Sequence, residues 1–311
     1  MGSPPAVPDD VAEAMLRFGT RSVQLTNLGK LFFPQTGLTK GGLLQYYLDV
    51  APVLVPHLRD RAMVMKRYPN GQTGDFFFMK RTPAGAPGWL RHCHVPNGDD
   101  TIDAPIVDDA AALLWVINLG CIDLNQWYAV CDDIQRPDYV HFDLDPVKGG
   151  TPFERVLEVA LDVRAGLAEL GLPAYAKTSG SNGVHVYVPI VRGPSQRDVW
   201  RFAKAFSTAL AARHPDRITI EYATARRPIG HVLVDYNQNA FGRTLASIYS
   251  VRPTPLATVS TPVTWEEIER GVRIEEFRVD NVRERIAAVG DLWKPLVAKR
   301  GRADLSRFVR E

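Results

Sequence analysis

The chain has 311 residues, 45% of them hydrophobic and 23% charged, the composition of an ordinary globular protein. Its net charge of +2 is too mild to mark a nucleic-acid-binding domain by itself, so such a role must rest on local clusters of charge. No apolar run reaches the roughly 18 residues of a membrane helix, and the N-terminus MGSPPAVPDD lacks the basic-then-apolar order of a secretory signal. Three cysteines, Cys93, Cys121 and Cys131, make no disulfide framework, so a reducing cytoplasm is the expected compartment.

In chain order, residues 9–18 read as a short helix after a Pro-rich tail. Residues 39–51 read as an amphipathic helix opened by Thr39 and stopped by Pro52, with Leu43, Leu44, Tyr47, Leu48 and Ala51 at helical spacing. Residues 61–66 and 76–80 read as strands around the turn-rich Pro69-Asn70-Gly71, and residues 109–118 as a buried helix. From Pro137 the pattern is denser. Strands are expected at 139–144, 174–178, 184–188, 217–222 and 231–236, with a further one at 246–251. Helices are expected from Thr151, with Glu154 completing a capping box, to 170, and from Ser195 to 213. Thr264 opens a short helix, and 282–298 reads as helical. Helices and strands alternate in part, which indicates an α+β or mixed α/β fold.

Asp143 and Asp145 lie two apart in His-Phe-Asp-Leu-Asp-Pro, so on a strand they share a face. Adjacent ionised carboxylates repel, and a divalent cation relieves that; oxygen donors favour magnesium or manganese. The same residues also fit an edge strand with two exposed aspartates. Asp235 closes the apolar run His231-Val-Leu-Val and reads as a third ligand or as a turn cap. Two metals 3.5–4 Å apart need more than two carboxylates. Between the second and third of these strands runs Lys177-Thr-Ser-Gly-Ser-Asn-Gly-Val-His185. Gly180 and Gly183 permit close backbone approach, and Ser179, Ser181 and the loop amides can donate to phosphate. The alternative is a polar hairpin with a core histidine. It is not a Walker loop, because no Gly-Lys-Ser/Thr follows.

Together with Val-Asp-Tyr-Asn-Gln-Asn and Tyr249-Ser250-Val251-Arg252, these segments resemble the polymerase domain of bacterial DNA ligase D, of the archaeo-eukaryotic primase superfamily. The resemblance runs from about residue 25 to about residue 268. It implies an α+β fold: a primase-type core with an RRM-like catalytic sheet and an N-terminal α/β part. One primase-polymerase domain spans 1–311, with an N-terminal part to about 130, a catalytic sheet part at about 131–268 and a helical segment at about 269–311.

The resemblance also implies a nucleotidyltransferase that adds nucleotides to DNA 3′ ends, with or without a template. Ribonucleotides are preferred, and Mn2+ or Mg2+ occupies a two-metal site on Asp143, Asp145 and Asp235. Lys177, Ser179, Gly180, Ser181, Gly183, His185, Gln238 and Arg252 are then expected to meet the nucleotide. Lys30 and Lys40 would grip a downstream 5′-phosphate, Phe77 and Phe78 would stack on the template, and Lys66 lies in the matching Lys-Arg-Tyr-Pro-Asn-Gly segment. At least one ring of Phe76, Phe77 and Phe78 is expected in the core. Implied partners are gapped or broken DNA, nucleoside triphosphates, Ku and a separate ATP-dependent ligase, at the nucleoid in the cytoplasm. Asn182 stands where the family often has a basic residue, and Asn125 where it often has histidine.

Other readings remain at this point. His92-Cys93-His94 lacks a second ligand pair and reads as structural. Asp-Leu-Asp-Pro-Val also fits a haloacid-dehalogenase-type phosphatase, with Asp143 as nucleophile in a parallel sheet; Asp-x-Asp glycosyltransferases fit less well. A non-catalytic DNA-end-binding module is the remaining alternative.

Overall fold

The structure, a computed structural model, describes residues 6–309, and these fall into two compact units. One takes the residues up to Trp127 with Ala246–Val259 and Arg278–Ala288. The other takes Tyr128–Leu245, Ser260–Phe277 and the residues from Val289 on.

The first unit opens with a hairpin, β1 (Glu13–Phe18) and β2 (Arg21–Thr26), turning at Gly19 with φ 61°. Residues 9–18 are therefore not helical. Leu16 faces Val23 across the pair, and both are buried, so the period-two pattern of the partner strand decides the conformation. Then come β3 (Leu31–Phe33), β4 (Leu38–Thr39) and α1 (Lys40–Leu58). Thr39 caps α1 as expected, its hydroxyl accepting from Gly42 N at 3.1 Å. The helix does not stop at Pro52 but continues through Pro52 and Pro56. An interior proline costs about 3 kcal/mol. Burying Leu54, Val55 and Leu58, at about 1.5–3 kcal/mol each, offsets it.

After β5 (Met63–Arg67), β6 (Phe77–Met79), the hairpin β7 (His92–Asn97) and β8 (Asp100–Pro105), and α2 (Ala110–Asn118), the strand β9 (Cys121–Gln126) completes a sheet of order β6-β5-β9. Asp109 caps α2 through Ala112 N at 2.8 Å. Residues 246–251 form no strand. Tyr249 adopts φ 55°, outside the extended region. The segment instead binds β9 through side chains, with Ser250 Oγ accepting from Leu124 N at 2.9 Å and Ser247 Oγ from Gln126 N at 3.4 Å. The Tyr46 hydroxyl donates to Tyr249 O, and the Tyr47 hydroxyl accepts from Val251 N, both at 2.9 Å.

The second unit is built on β10 (Tyr139–Pro146), α3 (Phe153–Glu169), β11 (Tyr175–Thr178), β12 (Val184–Pro189), α4 (Gln196–Arg213), β13 (Ile218–Thr219), β14 (Val232–Asp235) and β15 (Pro262–Val263). The sheet order is β13-β14-β10-β12-β11-β15, and every pair is antiparallel except β13 with β14. The core of this order, β14-β10-β12-β11, is that of a split βαββαβ unit, which places β10 and β12 in the middle. Val140, Phe142 and Leu144 of β10 are fully buried on the helix side, with the Phe142 ring 4.9 Å from Phe206 of α4. Tyr139, His141, Asp143 and Asp145 alternate onto the opposite face.

Ser195 caps α4 in a capping box with Asp198, and Thr264 caps α5 (Trp265–Glu269) in one with Glu267. Thr151 does not cap α3. Its hydroxyl donates to His231 O at 3.2 Å and accepts from Gly230 N at 3.0 Å, leaving Pro152 at the cap without a side-chain bond. The strand expected at 217–222 is confined to Ile218–Thr219. Residues 282–298 form two helices, α6 (Val282–Val289) and α7 (Lys294–Val297), interrupted at Gly290, whose φ is 72°. Among the described residues no helix is long and apolar enough to cross a membrane.

Candidate active site

Register places one row of side chains across four strands of the second unit. Asp143 on β10 is flanked by Asp235 on β14 and by His185 on β12, and His185 is flanked in turn by Lys177 on β11. Residues directly opposite share a face, and Asp145 joins it two positions along β10. All three predicted carboxylates thus stand on one face, on neighbouring central strands. This sets aside an exposed edge strand for Asp143 and Asp145: Asp143 is buried and β10 is paired on both sides. The antiparallel pairing also removes the parallel sheet that the phosphatase reading needs.

Each carboxylate has its own surroundings. His185 Nε2 lies 3.2 Å from Asp143 Oδ1. Asp235 Oδ1 accepts from the Tyr222 hydroxyl and from Asn237 N at 2.9 Å, and Oδ2 accepts from Gln238 Nε2 at 3.0 Å. Burial first, and then the Asp235 carboxylate, hold the Tyr222 phenol well above its usual range, so it stays a donor. Asp235 therefore acts as a turn cap for its own loop and also faces Asp143. Among the described residues no group of three or more His, Cys, Asp or Glu side chains is placed to hold a metal ion. The donor set itself, three carboxylates on one face, fits a hard divalent cation.

The loop between β11 and β12 is braced from within. Ser179 Oγ accepts from Ser181 N at 3.2 Å and Gly183 N at 2.9 Å, and Ser179 N donates to Gly183 O at 2.8 Å. Gly180 turns the loop at φ 69°. Gly183 is required by approach: a Cβ there would lie 2.3 Å from Leu144 O and 3.3 Å from Asp145 Oδ1. Ser181 and Asn182 are left exposed at the tip. Lys177 points elsewhere. It is fully buried and donates to His185 Nδ1 at 2.7 Å and Ser260 Oγ at 2.5 Å.

Below the carboxylate row, His141 is packed between Tyr128 and Tyr187, with centroids 5.2 Å away on each side, and burial pushes its pKa down to about 3. Asn239 grips its backbone. Asn239 Oδ1 accepts from His141 N at 3.1 Å, while Nδ2 donates to His141 O at 2.7 Å and Tyr236 O at 2.9 Å. Neither Asn239 nor Tyr222 was expected to matter. The signal for Asn239 was present in Val-Asp-Tyr-Asn-Gln-Asn.

The remaining predicted residues belong to the first unit. Lys40, at the start of α1, donates to Thr26 O at 2.7 Å, and burial, followed by the charges of Lys30 and Arg67, pulls its pKa down to about 8. Lys30 donates to Pro69 O at 2.7 Å and Asn70 Oδ1 at 2.9 Å, and lines a cavity of about 740 Å³ with Gly29, Thr39, Gly41 and Gly42. Arg252 lies 3.4 Å from Asp123, and Asn125 donates to Asp123 O at 3.2 Å. None of the three phenylalanines is core: Phe76, Phe77 and Phe78 are 50%, 44% and 58% exposed. Lys66 Nζ lies 4.1 Å from the Phe76 ring centroid and the Arg67 guanidinium 5.1 Å from that of Phe77, so the rings rest on cations at the surface. His92 and His94 are exposed on β7, with Thr82 and Asp103 as partners.

The family described as the LigD primase-polymerase domain matches residues 39–293. The chain belongs to this family. LigD primase-polymerase domains are nucleotidyltransferases of the primase-polymerase type, and the fold is accordingly of primase type. Over 284 residues, 91% of this chain, the sequence is 35% identical to the multifunctional non-homologous end joining protein LigD of Mycolicibacterium smegmatis. It is 34% identical over 297 residues to the corresponding protein of Mycobacterium tuberculosis. The chain spans 37% and 39% of the length of these two relatives. A solved structure of the polymerase domain from Mycobacterium tuberculosis ligase D in complex with DNA superposes with a TM-score of 0.82 at 33% identity. The match covers 89% of this chain and 98% of that one.

Proposed function

We propose that the whole chain acts as one primase-polymerase domain that adds nucleotides to DNA 3′ ends at short gaps or breaks. Asp143, Asp145 and Asp235 would hold two divalent ions, manganese or magnesium. The observation that carries this reading is the register setting all three carboxylates on one sheet face beside the braced Ser179–Gly183 loop. Bound there, the ions would supply the charge that neutralises a triphosphate and favours the primer hydroxylate.

The chain's own groups do the rest. The Ser181 hydroxyl at the exposed loop tip donates to phosphate oxygens, Ser179 holds the loop amides in shape behind it, and the Gly183 approach keeps that loop against Asp145. His185 and Gln238 flank the reacting phosphate, while Tyr222 and Asn237 orient Asp235. Arg252 adds a cation for the nucleotide. On the first unit, Lys30, which lines the cavity at the start of α1, takes a downstream 5′-phosphate, and the buried Lys40 adds its charge there. Phe77 and Phe78, with Lys66, meet the template strand. Resemblance supports a preference for ribonucleotides, and Ku and a separate ligase as partners at the nucleoid. The names of the relatives support end joining as the setting.

Labelled-nucleotide incorporation on gapped DNA with each metal tests this. Asp143→Ala and Asp145→Ala should each abolish incorporation and leave DNA binding intact. Substantial incorporation by either variant would refute the assignment. DNA binding without incorporation by the parent chain would favour the end-binding module instead.

A further inference from the structure

The sequence suggests a phosphate-binding lysine at position 177, but the ammonium is fully buried and turned along the sheet. Two of its polar contacts bear on what it can be doing. The Ser260 hydroxyl donates to Thr178 O at 2.9 Å, so its proton is committed there and a lone pair faces Lys177 at 2.5 Å. Lys177 is therefore a donor on that side. The Trp293 ring, whose centroid lies 5.9 Å from Nζ, favours the cation. An ammonium carries donors and no acceptor, so His185 Nδ1, 2.7 Å away, must present its lone pair. An imidazolium would point an N–H at that ammonium and is excluded by the same contact. The single ring proton then resides on Nε2, the nitrogen 3.2 Å from Asp143 Oδ1.

We propose that Lys177 is a positioning residue that locks His185 in its Nε2–H tautomer, so that the ring shows a proton, and not a lone pair, to the carboxylate face. The opposite tautomer would set a lone pair against Asp143 and against any phosphate oxygen arriving there. Lys177 thereby lends its charge to the face through the ring without leaving the sheet. The consequence for nucleotide binding rests on the polymerase reading above; the tautomer does not.

The test is long-range 1H–15N correlation on protein with 15N-labelled histidine, the His185 resonances being identified by their loss in His185→Asn. The parent chain should show a protonated Nε2 and an unprotonated Nδ1 at His185, and Ser260→Ala should keep that signature. Lys177→Met should lose it. If the polymerase reading holds, its KM for nucleotide should also rise roughly tenfold, more than its kcat falls, for the loss of about one charge-assisted contact. A protonated Nδ1 in the parent chain, or an unchanged pure Nε2–H signature in Lys177→Met, overturns the proposal. If Lys177→Met fails to fold, the parent spectrum still decides. A correct tautomer in a chain that incorporates no nucleotide would refute the polymerase reading and leave this one standing.

Discussion

Replacing Asn239 by alanine should damage the second unit more than any single surface change. The side chain is fully buried and makes three bonds to backbone: one from His141 N–H and two to the carbonyls of His141 and Tyr236. It extends the pairing of β10 beyond the point where β14 ends at Asp235, and so ties the strand carrying Asp143 to the turn carrying Asp235 and Gln238. Alanine leaves three backbone groups unsatisfied. At about 1 kcal/mol each, the low end of the penalty for a buried orphan, the loss is about 3 kcal/mol. For a unit of this size that lowers Tm by roughly 6–12 °C. Asn239→Asp should be no milder, since it keeps one acceptor and sets a carboxylate against two carbonyls. Urea denaturation followed by tryptophan fluorescence reads the change. A loss under about 0.5 kcal/mol, the range of ordinary surface substitutions, would show that β10 holds its place without the clamp.

Gly183→Ala should shift the loop, because its Cβ would meet Leu144 O at 2.3 Å; about 1–3 kcal/mol of stability and most incorporation should be lost, and parent-like activity would refute the close approach. Lys40, with its pKa pulled down to about 8 by burial, is charged below that pH, so preference for a 5′-phosphorylated gap should fall as pH rises through about 8. Folding stability should move the other way, rising between pH 8 and 10, because there the unfolded chain binds the proton more tightly; Lys40→Met should flatten both profiles in binding and denaturation assays. Phe78→Ala should leave stability within about 0.5 kcal/mol yet weaken binding to single-stranded template by about 5- to 150-fold, the worth of one stacked base. A stability loss instead would mean that the ring is packed.

Alternation and capping chemistry made the second unit legible from sequence. Asp143 and Asp145, two apart on an apolar strand, announced a shared face, and Ser195 and Thr264 marked helix starts at the observed places. Errors fell where distant residues decide. Residues 9–18 carry spacing compatible with a helix, and only pairing with β2 makes them a strand. Thr151 has the chemistry of a cap, but its hydroxyl is taken by the backbone at Gly230 and His231, about eighty positions away. The phenylalanines at 76–78 look like core until Lys66 and Arg67 are seen against their rings. The carboxylates could be picked out by spacing and context. The row that joins Asp235, Asp143, His185 and Lys177 could not, because register between strands is invisible in a single chain, and a fully buried lysine is the rarest fate of that residue.

The return of Ala246–Val259 and Arg278–Ala288 to the first unit bears on how the protein is made. When the ribosome has released the residues up to Trp127, the hydroxyls of Tyr46 and Tyr47 on α1 still lack Tyr249 O and Val251 N, and β9 lacks Ser247 and Ser250. More than a hundred further residues must emerge before those bonds can close. The β10 to β14 part of the second unit is contiguous in sequence and can therefore condense first during vectorial synthesis, with β15 and the residues from Val289 joining it later. The earlier-made half stays incomplete behind it, its last contacts having the longest loops to close.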